Sequence, residues 1–98
     1  MVPLALTELG AAYYSGNAHK WLCAPKGAAF LHVRRDRQAG LHPLVISHGY
    51  TQGFHAEFDW TGTCDPTPWL CIPEAIRYMG GLLPGGWPEL MAHNRTLA

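Results

Sequence analysis

Apolar and polar positions along this chain alternate in short blocks, separated by glycine and proline, and the blocks predict short elements. Thr7-Glu8-Leu9-Gly10-Ala11-Ala12 predicts one helical turn capped by Thr7. Tyr13-Tyr14-Ser15 is aromatic and brief, the pattern of a strand entering a loop. The loop Gly16-Asn17-Ala18-His19-Lys20 follows, and Ala24-Pro25-Lys26-Gly27 interrupts the chain again. Ala28-Ala29-Phe30-Leu31-His32-Val33 is nearly all apolar and predicts a buried strand, closed by the charged turn Arg34-Arg35-Asp36-Arg37. Leu44-Val45-Ile46-Ser47 predicts a second such strand. Residues 47–63 read as irregular, although they hold Tyr50, Phe54, Phe58 and Trp60.

The pattern then becomes helical. Asp65-Pro66 predicts a helix start, with Asp65 as cap and proline in the first turn. Ile72, Ile76 and Met79 carry that helix towards Met79, Pro73 kinks or splits it, and Gly80-Gly81 stops it. After Pro84-Gly85-Gly86 a last helix begins near Trp87-Pro88 and runs on to Ala98 without a C-terminal capping signal. Strand, loop, strand, strand, then helices is an α/β pattern, yet it contains no complete β-α-β unit. A sheet of two or three short strands cannot bury both faces, so the remaining strands are expected outside this sequence.

Composition sharpens that expectation. A chain of 98 residues allows one small domain at most. Only 14% of it is charged, against about 25% in ordinary soluble domains, and the smaller the domain the more surface it must solvate. Four tryptophans in so short a chain also suit a piece of a larger, mostly buried body. Lys+Arg 7 balances Asp+Glu 7, which leaves no basic face for phosphates and argues against nucleic acid as a partner. No apolar run approaches the 18 or so residues of a membrane helix, and Met1-Val2-Pro3-Leu4 has no secretory pattern, so no membrane role is expected. Cys23, Cys64 and Cys71 are odd in number and lack C-x-x-C spacing, which points to a reducing cytoplasm and to small core residues. The six histidines show no metal-ligand spacing, and no metal is expected.

The informative chemistry lies in Asn17-Ala18-His19-Lys20-Trp21-Leu22-Cys23-Ala24-Pro25-Lys26-Gly27. Lys20 follows a strand, on a loop, beside a histidine and next to Trp21 and Leu22. Apolar neighbours disfavour the charged form of an amine, and the neutral amine is the nucleophile that forms a Schiff base with an aldehyde or ketone.

This segment resembles the Schiff-base lysine segment of class V, cysteine-desulfurase-like aminotransferase-fold enzymes that use pyridoxal 5′-phosphate, and among them the isopenicillin N epimerase-like branch. The downstream segments Leu44-Val45-Ile46-Ser47-His48-Gly49, Glu57-Phe58-Asp59-Trp60-Thr61-Gly62-Thr63, Asp65-Pro66-Thr67, Ile72-Pro73-Glu74-Ala75-Ile76 and Gly86-Trp87-x-x-Leu90-Met91 resemble that branch in the same order. The resemblance covers almost the whole chain. It implies that residues 1–98 form part of the large cofactor-binding domain of a fold-type I enzyme, with the link to the small C-terminal domain starting near 80–98. It implies Lys20 as the Schiff-base lysine and proton carrier, and His19 and Asn17 lining the cofactor and anchoring its phosphate. Thr63 would reach the phosphate from the neighbouring subunit of a homodimer, in which Trp60, Trp69 and Trp87 pack or anchor the interface. The substrate implied is a small molecule, an amino acid or a derivative of one, with epimerase-like chemistry at its α-carbon. C–S cleavage, transamination and an inert truncated relic are the alternatives.

Two departures qualify the resemblance. Ala28-Ala29 stands where most such enzymes have a second glycine after the one matching Gly27. The aspartate that pairs with the pyridine nitrogen, the group that stacks on the ring and the arginine that binds the substrate carboxylate have no match here. The 98 residues alone are therefore expected to be inactive.

Overall fold

The computed structural model describes residues 2–98. A short helix α1 (Leu6–Leu9) leads into strand β1 (Tyr13–Asn17), which pairs antiparallel with strand β2 (Ala29–Val33). The register runs from Tyr13 opposite Val33 to Asn17 opposite Ala29. A single 3-10 turn (Arg35–Arg37) and a long irregular segment follow. Helices α2 (Phe54–Asp59), α3 (Thr67–Leu70), α4 (Ile72–Gly80) and α5 (Gly86–Leu97) complete the chain.

Helix α1 starts one residue before Thr7, and its N-cap is Ala5 with no side-chain bond, so Thr7 is not the cap. The helix ends because Gly10 takes the left-handed conformation, φ 67°, and returns its N–H to Leu6. The guanidinium of Arg34 donates to the Gly10 carbonyl at 2.9 Å and to Asp36, which ties α1 to the end of β2.

The two strands form where the aromatic and β-branched residues predict them, but they form a sheet of two. Of β2 only Val33 is buried, while Phe30 and Leu31 are exposed. The expectation of a buried strand is corrected: among the described residues β2 pairs with β1 alone, and Ala29, Phe30 and Leu31 stay exposed. Leu44-Val45-Ile46-Ser47 forms no strand at all. Leu44 and Ile46 stand at 106% and 78% exposure, because an extended segment without a neighbouring strand has no ladder to join. Within the segment read as irregular, residues 54–59 instead form α2.

The helical half follows the sequence closely. Asp65 Oδ1 accepts the Thr67 N–H at 2.9 Å just ahead of α3, but the N-cap is Pro66 with no side-chain bond, so Asp65 is not the cap and Pro66 is not inside the first turn. Pro73 splits the helix: α3 ends at Leu70, and α4 starts at Ile72 with the proline in its first turn, where a missing N–H costs nothing. Gly81 closes α4, and α5 spans the final block. The core is small. Ala18, Ala24 and Ala28 are buried under Leu22 and against Ile72 and Ala75 of α4. This alanine cluster packs the β1–β2 connection onto α4 and holds the candidate site in place.

Candidate functional site

The connection between β1 and β2 is a compact knot of backbone bonds. The Asn17 carbonyl accepts the Lys20 N–H, and the Lys20 carbonyl accepts the Cys23 N–H at 3.0 Å. The Ala18 carbonyl accepts the Ala24 N–H, also at 3.0 Å, so the chain turns back under Lys20. The centre of the knot is the Ala28 carbonyl. It accepts the Ala18 N–H at 3.0 Å, the His19 N–H at 3.3 Å and the His19 ring Nδ1–H at 2.9 Å. Small residues suit 18, 24 and 28, because those three side chains are buried in one cluster under Leu22, Ile72 and Ala75.

This architecture brings three of the four expected site residues together. Asn17 ends β1 with its side chain exposed, His19 is half-buried beside Ala28, and Lys20 projects outward from the turn. A carbonyl can only accept, so His19 carries a proton on Nδ1. Its Nε2 then donates to an anion only when the ring is an imidazolium. Trp21 is 69% exposed, so the apolar wall expected beside Lys20 is not closed by this chain. Thr63 stands apart from the knot in sequence, exposed on the segment between α2 and α3, and shares no hydrogen bond with the other three residues.

The segment that carries Thr63 nevertheless meets the end of the hairpin. Trp60, Thr61, Gly62 and Cys64 line a cleft of about 280 Å³, together with Trp69 and with Ala29, the residue paired with Asn17. Cys64 and Cys23 are exposed and Cys71 is half-buried, which corrects their reading as core residues. Trp60 and Trp69 are also exposed, whereas Trp87 packs its indole against Gly80.

Sequence reasoning missed a second polar constellation. Glu57 of α2 is a buried carboxylate bound by the His42 ring and by the backbone of Thr51. Its signal was an acidic residue inside the apolar helical spacing Phe54, Phe58, which becomes visible only if residues 54–59 are read as a helix.

The knot carries one amine, one amide and one imidazole whose orientation is fixed by the Ala28 carbonyl, groups of the kinds that bind an aldehyde and a phosphate, while the Thr63 hydroxyl lies on the separate 60–66 segment. No described helix is long and apolar enough to cross a membrane.

No family model matches the chain. It is 40% identical over 87 residues to a protein of Oryza sativa subsp. japonica named putative L-cysteine desulfhydrase 1, across 83% of this chain and 18% of that protein. It is 36% identical over 103 residues to the isopenicillin N epimerase of Amycolatopsis lactamdurans, across 90% of this chain and 26% of that protein. A protein of Arabidopsis thaliana named probable L-cysteine desulfhydrase, chloroplastic, is 36% identical over 88 residues, across 83% of this chain and 18% of its own length. The chain thus spans 18% to 26% of the length of these curated relatives. These similarities support the family whose segments the sequence resembles and do not single out a branch of it.

Proposed function

We propose that this chain is the cofactor-lysine segment of a pyridoxal 5′-phosphate-dependent enzyme that acts on an amino acid or a derivative and labilises a bond at its α-carbon. The observation that carries the reading is the knot at the end of the hairpin, where Lys20, His19 and Asn17 share one turn. The ordered similarity to proteins named desulfhydrase and epimerase adds to it.

In this reading the Lys20 amine holds the cofactor aldehyde covalently, and once released it moves the proton at the substrate α-carbon. The His19 ring, the Asn17 amide and the Thr63 hydroxyl hold the phosphate, with Thr63 serving the neighbouring subunit of a homodimer. The bound cofactor supplies an electron sink for the carbanion, which no side chain of this sequence offers. The pocket that selects the substrate and the contacts to the ring belong to further polypeptide, so residues 1–98 form part of a larger domain that leads towards a small C-terminal one near 80–98. Three free thiols suit a reducing cytoplasm.

Epimerisation is the outcome proposed first, on the epimerase-like order of segments. The desulfhydrase-named relatives at up to 40% identity favour a second outcome, elimination of sulfide from cysteine. Borohydride treatment of the intact protein with pyridoxal phosphate bound is expected to fix the cofactor on Lys20, as read by peptide mass mapping, and Lys20→Arg is expected to be colourless. A label on any other lysine overturns the assignment. Chiral analysis of amino-acid products against sulfide release then separates the two outcomes.

A further inference from the structure

Among the described residues Glu57 is the one charged side chain that is buried, at 4% exposure, and it lies on a helix of only six residues. A carboxylate taken out of water must have its oxygens satisfied, and both are. Oε2 accepts the His42 Nδ1–H at 2.5 Å, and Oε1 accepts the Thr51 N–H at 3.2 Å. Both donors come from the irregular segment before α2, and the backbone there is bent to deliver them. Thr51 sits at φ 67°, a conformation that β-branched residues rarely adopt. Gly49 passes so close to α2 that a Cβ on it would lie 2.1 Å from the Ala56 carbonyl oxygen.

A six-residue helix with no side-chain cap has little stability of its own. Its direction is set by what grips it. An apolar side chain at 57 would bury as well without a charge, but it would not choose an orientation. Two directed bonds do. From Asp59 the chain passes straight into residues 60–66, whose far end is held by the Asp65 bond to Thr67. Between those two anchors the segment has no helix or strand, so the position of Thr63 depends on the anchors.

We propose that Glu57, gripped by His42 and Thr51, is a positioning residue: by fixing the direction of α2 it sets where the following segment presents the Thr63 hydroxyl to the cofactor phosphate of the neighbouring subunit. The proposal rests on the pyridoxal phosphate reading above and adds to it a residue that touches neither cofactor nor substrate.

A double-mutant cycle on the intact enzyme tests it, reading equilibrium affinity for pyridoxal 5′-phosphate and for pyridoxal, which lacks the phosphate. Thr63→Val is expected to weaken pyridoxal phosphate binding roughly tenfold, the scale of one lost hydrogen bond to an ion. Glu57→Ala is expected to do the same, while pyridoxal binding changes by less than about twofold on either substitution. Because Glu57 acts through Thr63, the double variant is expected to lose no more than either single one. Glu57→Gln keeps a carbonyl for Thr51 and is expected to stay within about threefold of the parent. His42→Asn, which keeps a donor where Nδ1 stands, is expected to match the parent, and His42→Leu is expected to follow Glu57→Ala. The His42 pair supplies the comparison if Glu57→Ala does not fold. Losses that add, or that weaken pyridoxal equally, overturn the proposal while Lys20 is still labelled by borohydride. Failure to label Lys20 in the parent enzyme overturns the cofactor reading, and this proposal with it.

Discussion

At the scale of single residues, the site depends on which atoms are already committed. His19 has spent Nδ1–H on the Ala28 carbonyl, and Lys20 has spent its backbone but not its amine. Lys20 and its neighbours stand out in the sequence through the resemblance of their segment, and the structure sets Lys20, His19 and Asn17 on one turn. The Glu57 pairing was not, because His42 lies fifteen residues away and only folding brings the two together. A smaller pairing makes a pH prediction. The Thr67 side chain and backbone N–H hold the Asp65 carboxyl below the usual carboxylate range. A folded pKa below the unfolded one means the bond stabilises the α3 start fully above the unfolded value of about 3.9. That support is lost as pH falls through the lower, folded value. The Thr67 amide resonance is expected to titrate in that acid window, and Asp65→Asn is expected to flatten it.

Among elements, agreement divides by how much each one needs from elsewhere. Helices α4 and α5 satisfy their own backbones, and their boundaries follow from Pro73, Gly81 and the block after Gly86. Strands need partners. Residues 28–33 find one in β1, while residues 44–47 have the same apolar character and find none. Helix α2 was hidden because its six residues lack capping signals and it stands on the grip at Glu57 rather than on propensity. The element that most constrains the site is the alanine cluster between the β1–β2 connection and α4. Ala28 has no exposed surface, so Ala28→Leu forces extra atoms into a filled space. A cost of about 1–3 kcal/mol is expected, read as faster amide exchange at residues 18, 19 and 24. Unchanged exchange there would show that the knot does not depend on close packing.

For the molecule as a whole, the decisive quantity is surface. The chain exposes 7485 Å², whereas a compact monomer of its 10.8 kDa exposes about 5,500 Å². Its radius of gyration is 16.1 Å, against about 13 Å for a compact domain of this length. Much of the excess is apolar: Trp21, Leu44, Val45, Ile46 and Leu70 are all largely exposed. Low charge and many aromatics therefore describe surfaces made to be covered. The 98-residue chain produced alone is expected to bind a hydrophobic dye and to associate at micromolar concentration. Sedimentation velocity and dye fluorescence read both, and a compact, dye-free monomer would contradict the expectation.

The order of residues alone determined the helical punctuation, the candidate lysine and the shortage of charge, because each of these is local or additive. Folding decided what depends on distant groups meeting: which apolar run became a strand, which ring nitrogen of His19 carries its proton, and how Glu57 came to be buried between His42 and Thr51. Hydrogen bonds and burial are satisfied by whatever lies adjacent in space, and for segments separated by loops that adjacency exists only once the chain has folded.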